Sequence, residues 1–299
     1  ERLAADQEVN TLLLTERSIA DALGVDSQRA RPSDSHKGTY GHVLVAAGNQ
    51  RMSGAGLLCT SAALRAGCGL VTWAVPASLA RHLLGRLPEA MLAGLPDAGH
   101  GDWAEVSAEQ VLALAQSRDA LVIGPGMGRY GDDVQWLRAI WEGTPCPLLL
   151  DADALNMLAD AGDFAEWPRR EAAAVLTPHP GEMARLAGLS IAEVQRDRIG
   201  LARSYAQEHG VTLVLKGAAT VVADPDGVVY INTTGNAGMA KGGSGDVLAG
   251  VIASLLAQGL PAGKAAALGV WLHGAAGDRA VAARATAASV LPSDLIAHL

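Results

Sequence analysis

From about residue 40 the chain repeats one rhythm: a short, nearly continuous apolar run that closes on Gly, Pro, Asp or His, then a longer stretch with apolar residues at helical spacing. The runs read HVLVAAG, GLVTWAVP, DALVIGPG, CPLLLDADAL, AAAVLTPHPGE and VTLVLKG. Because they are apolar throughout instead of alternating, they predict strands buried on both faces, as in a largely parallel sheet covered by helices. The segments SGAGLLCTSAALRAG, DDVQWLRAIWEG and SIAEVQRDRIGLARSYAQEHG predict those helices, and TVVADPDGVVYIN predicts two short strands around a Pro-Asp-Gly turn, pairing antiparallel. DVLAGVIASLLAQG and AGKAAALGVWLHGAAGDRAVAAR are Ala-rich and apolar, so they should pack deeply against the sheet or a neighbouring subunit. RARPSDSHKGTYG is the one long polar loop, and no internal repeat, low-complexity tract or interdomain linker interrupts the rhythm. The expectation is one α/β domain whose ligand-facing loops lie at the carboxyl ends of the strands.

Composition narrows the function classes. The 299 residues are 49% hydrophobic and 18% charged, with 35 glycines and one Phe, which suits tight β/α turns around a small-residue core. With 23 Lys and Arg against 31 Asp and Glu, the net charge of −8 argues against nucleic acid or an anionic membrane as partner. Any anionic ligand must therefore be held locally. Three cysteines, Cys59, Cys68 and Cys146, lack metal-type spacing and fit a reducing cytoplasm. No apolar run reaches a membrane span, and ERLAADQEVNTLLLTERSIADAL alternates charge with apolar residues, unlike a signal peptide. The first residue is Glu1, which leaves a processed product, an excised piece or part of a longer polypeptide equally open.

The chemistry concentrates in GNAGMAKGGSGDVLAG. Gly242, Gly243, Ser244 and Gly245 let backbone N–H groups approach an anion at the positive end of the helix that follows. Asp246 is either a simple first-turn residue or the base that takes a proton from a hydroxyl approaching the phosphate. His179 and Glu182 in VLTPHPGEMARLAG sit where a strand gives way to a helix and either face one cleft or merely shape the turn. Asp151 and Asp153 close a buried strand as helix-start residues or as carboxylates near a metal-phosphate complex. Gly124, Gly126 and Gly128 form a loop able to approach a ligand by backbone. Lys216 ends an apolar strand, where an ammonium needs an anion or a carbonyl cage. Cys68 and His273, on Ala/Gly-rich helical segments, read as core residues.

Taken in order, SHKGTYG, SGAGLLCTSAALRAGCGL, GPGMG, DADALNML, TPHPGE, LKGAATVV and GNAGMAKGGSGDVLAG closely resemble the motifs of the ADP-dependent (S)-NAD(P)H-hydrate dehydratase family. That family forms the carboxyl-terminal half of many bacterial bifunctional nicotinamide-nucleotide repair enzymes, within the ribokinase-like superfamily. The resemblance implies a three-layer α/β/α sandwich with a mostly parallel central sheet over residues 33–299, preceded by an N-terminal extension or lead-in helix, residues 1–32. It implies a lyase that restores NADH or NADPH from the S hydrate while converting ADP to AMP and phosphate.

The same resemblance assigns roles. Asp246 would be the base, and the backbone N–H groups of Gly243, Ser244 and Gly245 would stabilise the transferring phosphoryl group. Ala55, Gly126, His179 and Asp246 would border the hydrated nicotinamide nucleotide. Lys216, Gly217, Ala218, Ala219 and Thr220, with Gly245, would hold the adenine nucleotide. Glu182 would help organise Mg²⁺ through water. A homo-oligomer, a tetramer, is implied, as is a fused or separate NAD(P)H-hydrate epimerase as partner. Two positions depart from the family pattern: Lys241 stands where Thr or Ser is usual, and Ala219 where Gly is usual. Two rivals remain open at this stage, a ribokinase-like kinase of a vitamin precursor such as hydroxyethylthiazole or a hydroxymethylpyrimidine, and a nucleotide-sensing protein without turnover.

Overall fold

The computed structural model describes residues 10–26 and 29–299. Within them the strands are β1 (Thr11–Leu14), β2 (His42–Ala46), β3 (Leu70–Pro76), β4 (Met91–Leu95), β5 (Ala120–Ile123), β6 (Leu148–Leu150), β7 (Ala174–Leu176), β8 (Thr212–Leu215), β9 (Val221–Ala223) and β10 (Val229–Asn232). They form one sheet in the order β1-β10-β9-β8-β7-β6-β5-β2-β3-β4. Every pairing is parallel except those of β9, which runs antiparallel to both β8 and β10. The Pro-Asp-Gly turn between β9 and β10 is where the sequence places it, since Pro225 and Gly227 suit a tight reversal.

Helices cover both faces: α1 (Glu16–Ser18), α2 (Ser53–Arg65), α3 (Ala77–Leu83), α4 (Ala108–Ala115), α5 (Asp133–Gly143), α6 (Asp153–Ala161), α7 (Pro180–Ala187), α8 (Ile191–Arg196), α9 (Arg198–His209), α10 (Ser244–Ala257), α11 (Ala262–Ala282) and α12 (Pro292–Ala297). Side chains alternate across each strand, so Val43, Val45, Val122 and Val214 join a core with α2, α10 and α11. Leu44, Leu121, Ile123 and Leu213 join a second core with α4, α5, α7 and α9. This is the expected three-layer sandwich, and each fully buried Val or Leu contributes roughly 1.5–3 kcal/mol to it.

Glycine and alanine let α10 sink to near backbone contact with α2: a Cβ on Gly250 would fall 2.1 Å from the Cys59 carbonyl oxygen. Every residue from Val247 to Ala257 is buried within the single chain. The apolar helix therefore leaves no face of its own for self-association. Three local expectations change. Residues 11–14, placed in the N-terminal extension or lead-in helix, form a strand that extends the sheet beside β10, with the helical turn starting only at Glu16. SIAEVQRDRIGLARSYAQEHG is two helices, broken at Asp197 (φ −144°, ψ 76°), whose carboxylate accepts from the Gly200 amide and caps α9. The edge strand β4 was not anticipated. Among the described residues no helix is long and apolar enough to cross a membrane.

Candidate active site

The chain runs outward one way through β2, β3 and β4 and the other way through β5 to β8, so the loops after β2 and β5 diverge and open a crevice at the carboxyl edge. These two loops are tied together. Gly48 N–H donates to the Pro125 carbonyl at 2.8 Å. The buried Asn49 side chain donates to the Met127 carbonyl at 3.0 Å and accepts from the Arg51 and Met52 amides at 2.8 and 2.9 Å. Ala55, in the first turn of α2, lies against Gly126, where an added Cβ would sit 2.8 Å from the Ala55 methyl. Asp153 accepts from the Gly128 amide at 2.8 Å and so fastens the glycine loop to α6.

Next to this crevice lies a compact charged centre. Lys216, at the end of β8, donates to Asp151 at 2.7 Å, and its side chain is only 18% exposed. Thr177, at the end of β7, also donates to Asp151, at 2.8 Å. Glu182 lies 3.9 Å from the Lys216 ammonium and accepts from the His179 amide at 2.7 Å, while the His179 ring caps the Gly181 and Glu182 amides at 2.9 and 3.3 Å. The buried-strand lysine thus has the anionic partner it requires. Burial works against its charge, but the Asp151 and Glu182 carboxylates outweigh it and hold the ammonium pKa above its ordinary value. Burial pushes Glu182 up and His179 down, with Lys216 opposing the first shift and adding to the second.

The N-terminus of α10 faces the same centre. Gly243 has φ +100°, and a Cβ there would meet Leu58 Cδ1 at 2.7 Å and Pro292 Cγ at 3.0 Å, so only glycine fits this turn. No side chain caps the helix. One expectation changes: the Ser244 amide is engaged by the Lys241 carbonyl at 3.2 Å. Among the described residues the amides left without a backbone acceptor at this end are those of Gly242, Gly243, Gly245 and Asp246. A Cβ on Gly245 would stand 3.3 Å from Lys216 Nζ and 3.9 Å from Asp151 Oδ2, which sets the helix start directly over the charged centre. Asp246 is mostly buried there. Burial, reinforced by Asp151 and Asp153 and offset by Lys216, raises its pKa from 3.8 to about 6. A carboxylate with that proton affinity suits general-base work near neutral pH.

The loop Lys216 to Thr220 leaves β8 with Gly217, Ala218 and Ala219 exposed. Thr220 donates through its hydroxyl to the Gly217 carbonyl at 2.9 Å. Ala219 has φ +53°, the left-handed region that favours glycine, so the alanine that departs from the expected glycine carries backbone strain there. Lys241, the other departure, turns its ammonium away to the Ala288 carbonyl at 2.6 Å. Three contributors escaped the sequence reading. Asn49 carried a signal, a polar residue at the end of an apolar run. His273 is buried as expected, but its Nε2 lies 3.4 Å from the Ser244 hydroxyl, and burial lowers its pKa to about 4, so it is neutral. Arg198, on α9, carried none.

Among the described residues no group of three or more His, Cys, Asp or Glu is arranged to hold a metal ion. Asp151 and Glu182 are committed to Lys216, Thr177 and His179. This donor set fits a Mg²⁺ that arrives on nucleotide phosphates and keeps its waters, not one in an all-protein cage.

A doubly wound, mostly parallel sheet with a glycine-lined helix start and a strand-end lysine at its carboxyl edge is the arrangement of a ribokinase-like α/β fold. The family model for NAD(P)H-hydrate dehydratase matches residues 43–299. The chain belongs to that family. It is 44% identical over 299 residues to the bifunctional NAD(P)H-hydrate repair enzyme Nnr of Moorella thermoacetica, covering all of this chain and 55% of the relative. It is 43% identical over 270 residues to the ADP-dependent (S)-NAD(P)H-hydrate dehydratase of Neisseria meningitidis serogroup B, covering 89% of this chain and 86% of the relative. The ADP/ATP-dependent NAD(P)H-hydrate dehydratase of Bacillus subtilis, co-crystallised with ATP/Mg²⁺, superposes with a TM-score of 0.79 at 32% identity, covering 97% of each chain. Against the bifunctional relatives the chain spans about half their length, 55% in the first case.

Proposed function

We propose that this chain removes water from (S)-NADH-hydrate and (S)-NADPH-hydrate at the expense of ADP, releasing AMP and phosphate, in the cytoplasm. The observation that carries the reading is Asp246, a carboxylate of raised proton affinity directly behind an uncapped, glycine-built helix start and above Lys216. Hydroxide is a poor leaving group and phosphate a good one. Asp246 takes the proton of the ring hydroxyl as that oxygen attacks the terminal phosphoryl group of ADP, and AMP departs. The Gly243 and Gly245 amides and the helix dipole meet the charge on the phosphoryl group, with Ser244 between them. Phosphate is then eliminated, pushed by the ring nitrogen's lone pair, with loss of the neighbouring ring proton.

Ala55, Gly126 and His179 border the nicotinamide nucleotide in this reading, and Lys216 to Thr220 with Gly245 hold the adenine nucleotide. When bound, Mg²⁺ would neutralise phosphate charge, and Glu182 would hold one of its waters. Residues 33–299 form the catalytic unit and residues 1–32 its lead-in. A fused or separate epimerase supplies the S hydrate, and the working form is a homo-oligomer, a tetramer, which light scattering tests. The decisive assay mixes protein, hydrated NADH, ADP and Mg²⁺ and follows reduced-nicotinamide absorbance. Its return with stoichiometric AMP supports the reading. No return of absorbance, with a stable phosphorylated product once hydroxyethylthiazole or a hydroxymethylpyrimidine is added with ATP, would favour the vitamin-precursor kinase, and binding without turnover would favour a nucleotide sensor.

A further inference from the structure

Arg198, the first residue of α9, lies behind the loop that leaves β8. Its guanidinium donates to three successive parts of that loop: to the Leu215 carbonyl at 2.9 Å, the Lys216 carbonyl at 3.2 Å and the Ala218 carbonyl at 2.6 Å. A trans peptide points its C=O and the next N–H in opposite directions. Drawing the Lys216 and Ala218 carbonyls toward Arg198 therefore turns the Gly217 and Ala219 amides to the opposite, open side. The Lys216 amide is already spent on the Pro178 carbonyl at 2.8 Å. Among the described residues, the Gly217 and Ala219 amides have no backbone acceptor. Two loop amides aimed the same way make a concave site for an anion. The backbone settings this alternation requires are present, φ +142° at Gly217 and φ +53° at Ala219.

The geometry points to Arg198 as a positioning residue that converts the Lys216–Thr220 loop into a receptor for the nucleoside diphosphate, by holding its carbonyls to the rear and its amides to the front. The inference rests on the placement of ADP at this loop. Arg198 touches no substrate in this scheme. Burial lowers its pKa, and the groups its guanidinium meets are the three loop carbonyls. The planar fork matters as much as the charge, because one guanidinium spans several carbonyls that a lysine ammonium cannot reach together.

The test compares Arg198→Lys, which keeps the charge, and Arg198→Gln, which removes it, after thermal melts show that each is folded. Calorimetry with ADP and steady-state kinetics with hydrated NADH are run on both, beside Gly245→Val as a control on the nucleotide site itself. Each Arg198 variant should raise the Kd and KM for ADP by about 10- to 100-fold, the range for losing hydrogen bonds to a charged group. At saturating ADP, kcat should stay within about twofold and the KM for the hydrate should not move. A purely structural staple would lower the melting temperature without this split, and that result overturns the inference. If Gly245→Val weakens ADP binding while both Arg198 variants bind normally, the inference fails and the nucleotide site stands. If none of the three alters ADP binding, the site assignment fails with it.

Discussion

Asp246→Asn separates chemistry from stability at one atom. In the folded chain the Asp246 pKa rises from 3.8 to about 6, a change first of all of burial and then of the Asp151 charge. That shift of about 2 units corresponds to about 3 kcal/mol between the two protonation states. The sign follows from linkage: a carboxyl whose folded pKa is raised is stabilised while protonated, and that contribution is lost as pH rises through the folded value. At pH 8 the wild type therefore carries an ionised, poorly solvated carboxylate that Asn lacks. Asp246→Asn should be more stable by up to about 3 kcal/mol at pH 8, by about half of that at pH 5, and by little below pH 4. Differential scanning calorimetry across that range reads this as a melting-point gap of several degrees that closes on acidification. Repair should fall by a factor on the order of 10² to 10⁴ while ADP and hydrate still bind. Because Asn occupies a helix start as well as Asp does, retained turnover would remove Asp246 from the mechanism. A stability gap independent of pH would refute the raised proton affinity.

The same carboxylate should give wild-type kcat/KM an acid limb near pH 6, falling as Asp246 protonates. Lys216→Met should move that limb upward, since the ammonium opposes the shift; a pH–rate profile with an unmoved limb would contradict this. Gly245→Val places its branch against the Lys216 ammonium, 3.3 Å from the Cβ position, and calorimetry should show weakened ADP binding. Gly250→Ala forces a methyl to 2.1 Å from the Cys59 carbonyl, so α10 must move off α2, at a cost of about 3 kcal/mol or more by denaturant unfolding. Ala219→Gly relieves a φ of +53° and should raise stability by up to about 1 kcal/mol, with a higher denaturation midpoint as the reading.

What the sequence could reveal follows from how local each physical cause is. Strands β2, β5 and β8 sit mid-sheet with helices on both faces, so their burial is written as unbroken apolar runs and no partner need be known to read them. Strand β1 has one neighbour and leaves Leu13 58% exposed. Its TLLL lies among charged residues at a spacing that serves a helix equally well, and only the free edge of β10 decides between them. The site divides in the same way. Glycines and carboxylates at strand ends are local demands of backbone approach and proton transfer, and motifs preserve them. The proton affinity of Asp246, by contrast, arises where Asp151, Asp153, Lys216 and α10 meet, from loops far apart in the chain. Arg198 is harder still: on a helix with acidic and basic neighbours, a lone arginine reads as a solvated surface charge. Its partners are backbone carbonyls, which every residue possesses, so no side chain in the loop announces them. Lys216 could be singled out because an ammonium ending an apolar strand contradicts its surroundings. Arg198 contradicts nothing until α9 folds back behind the loop.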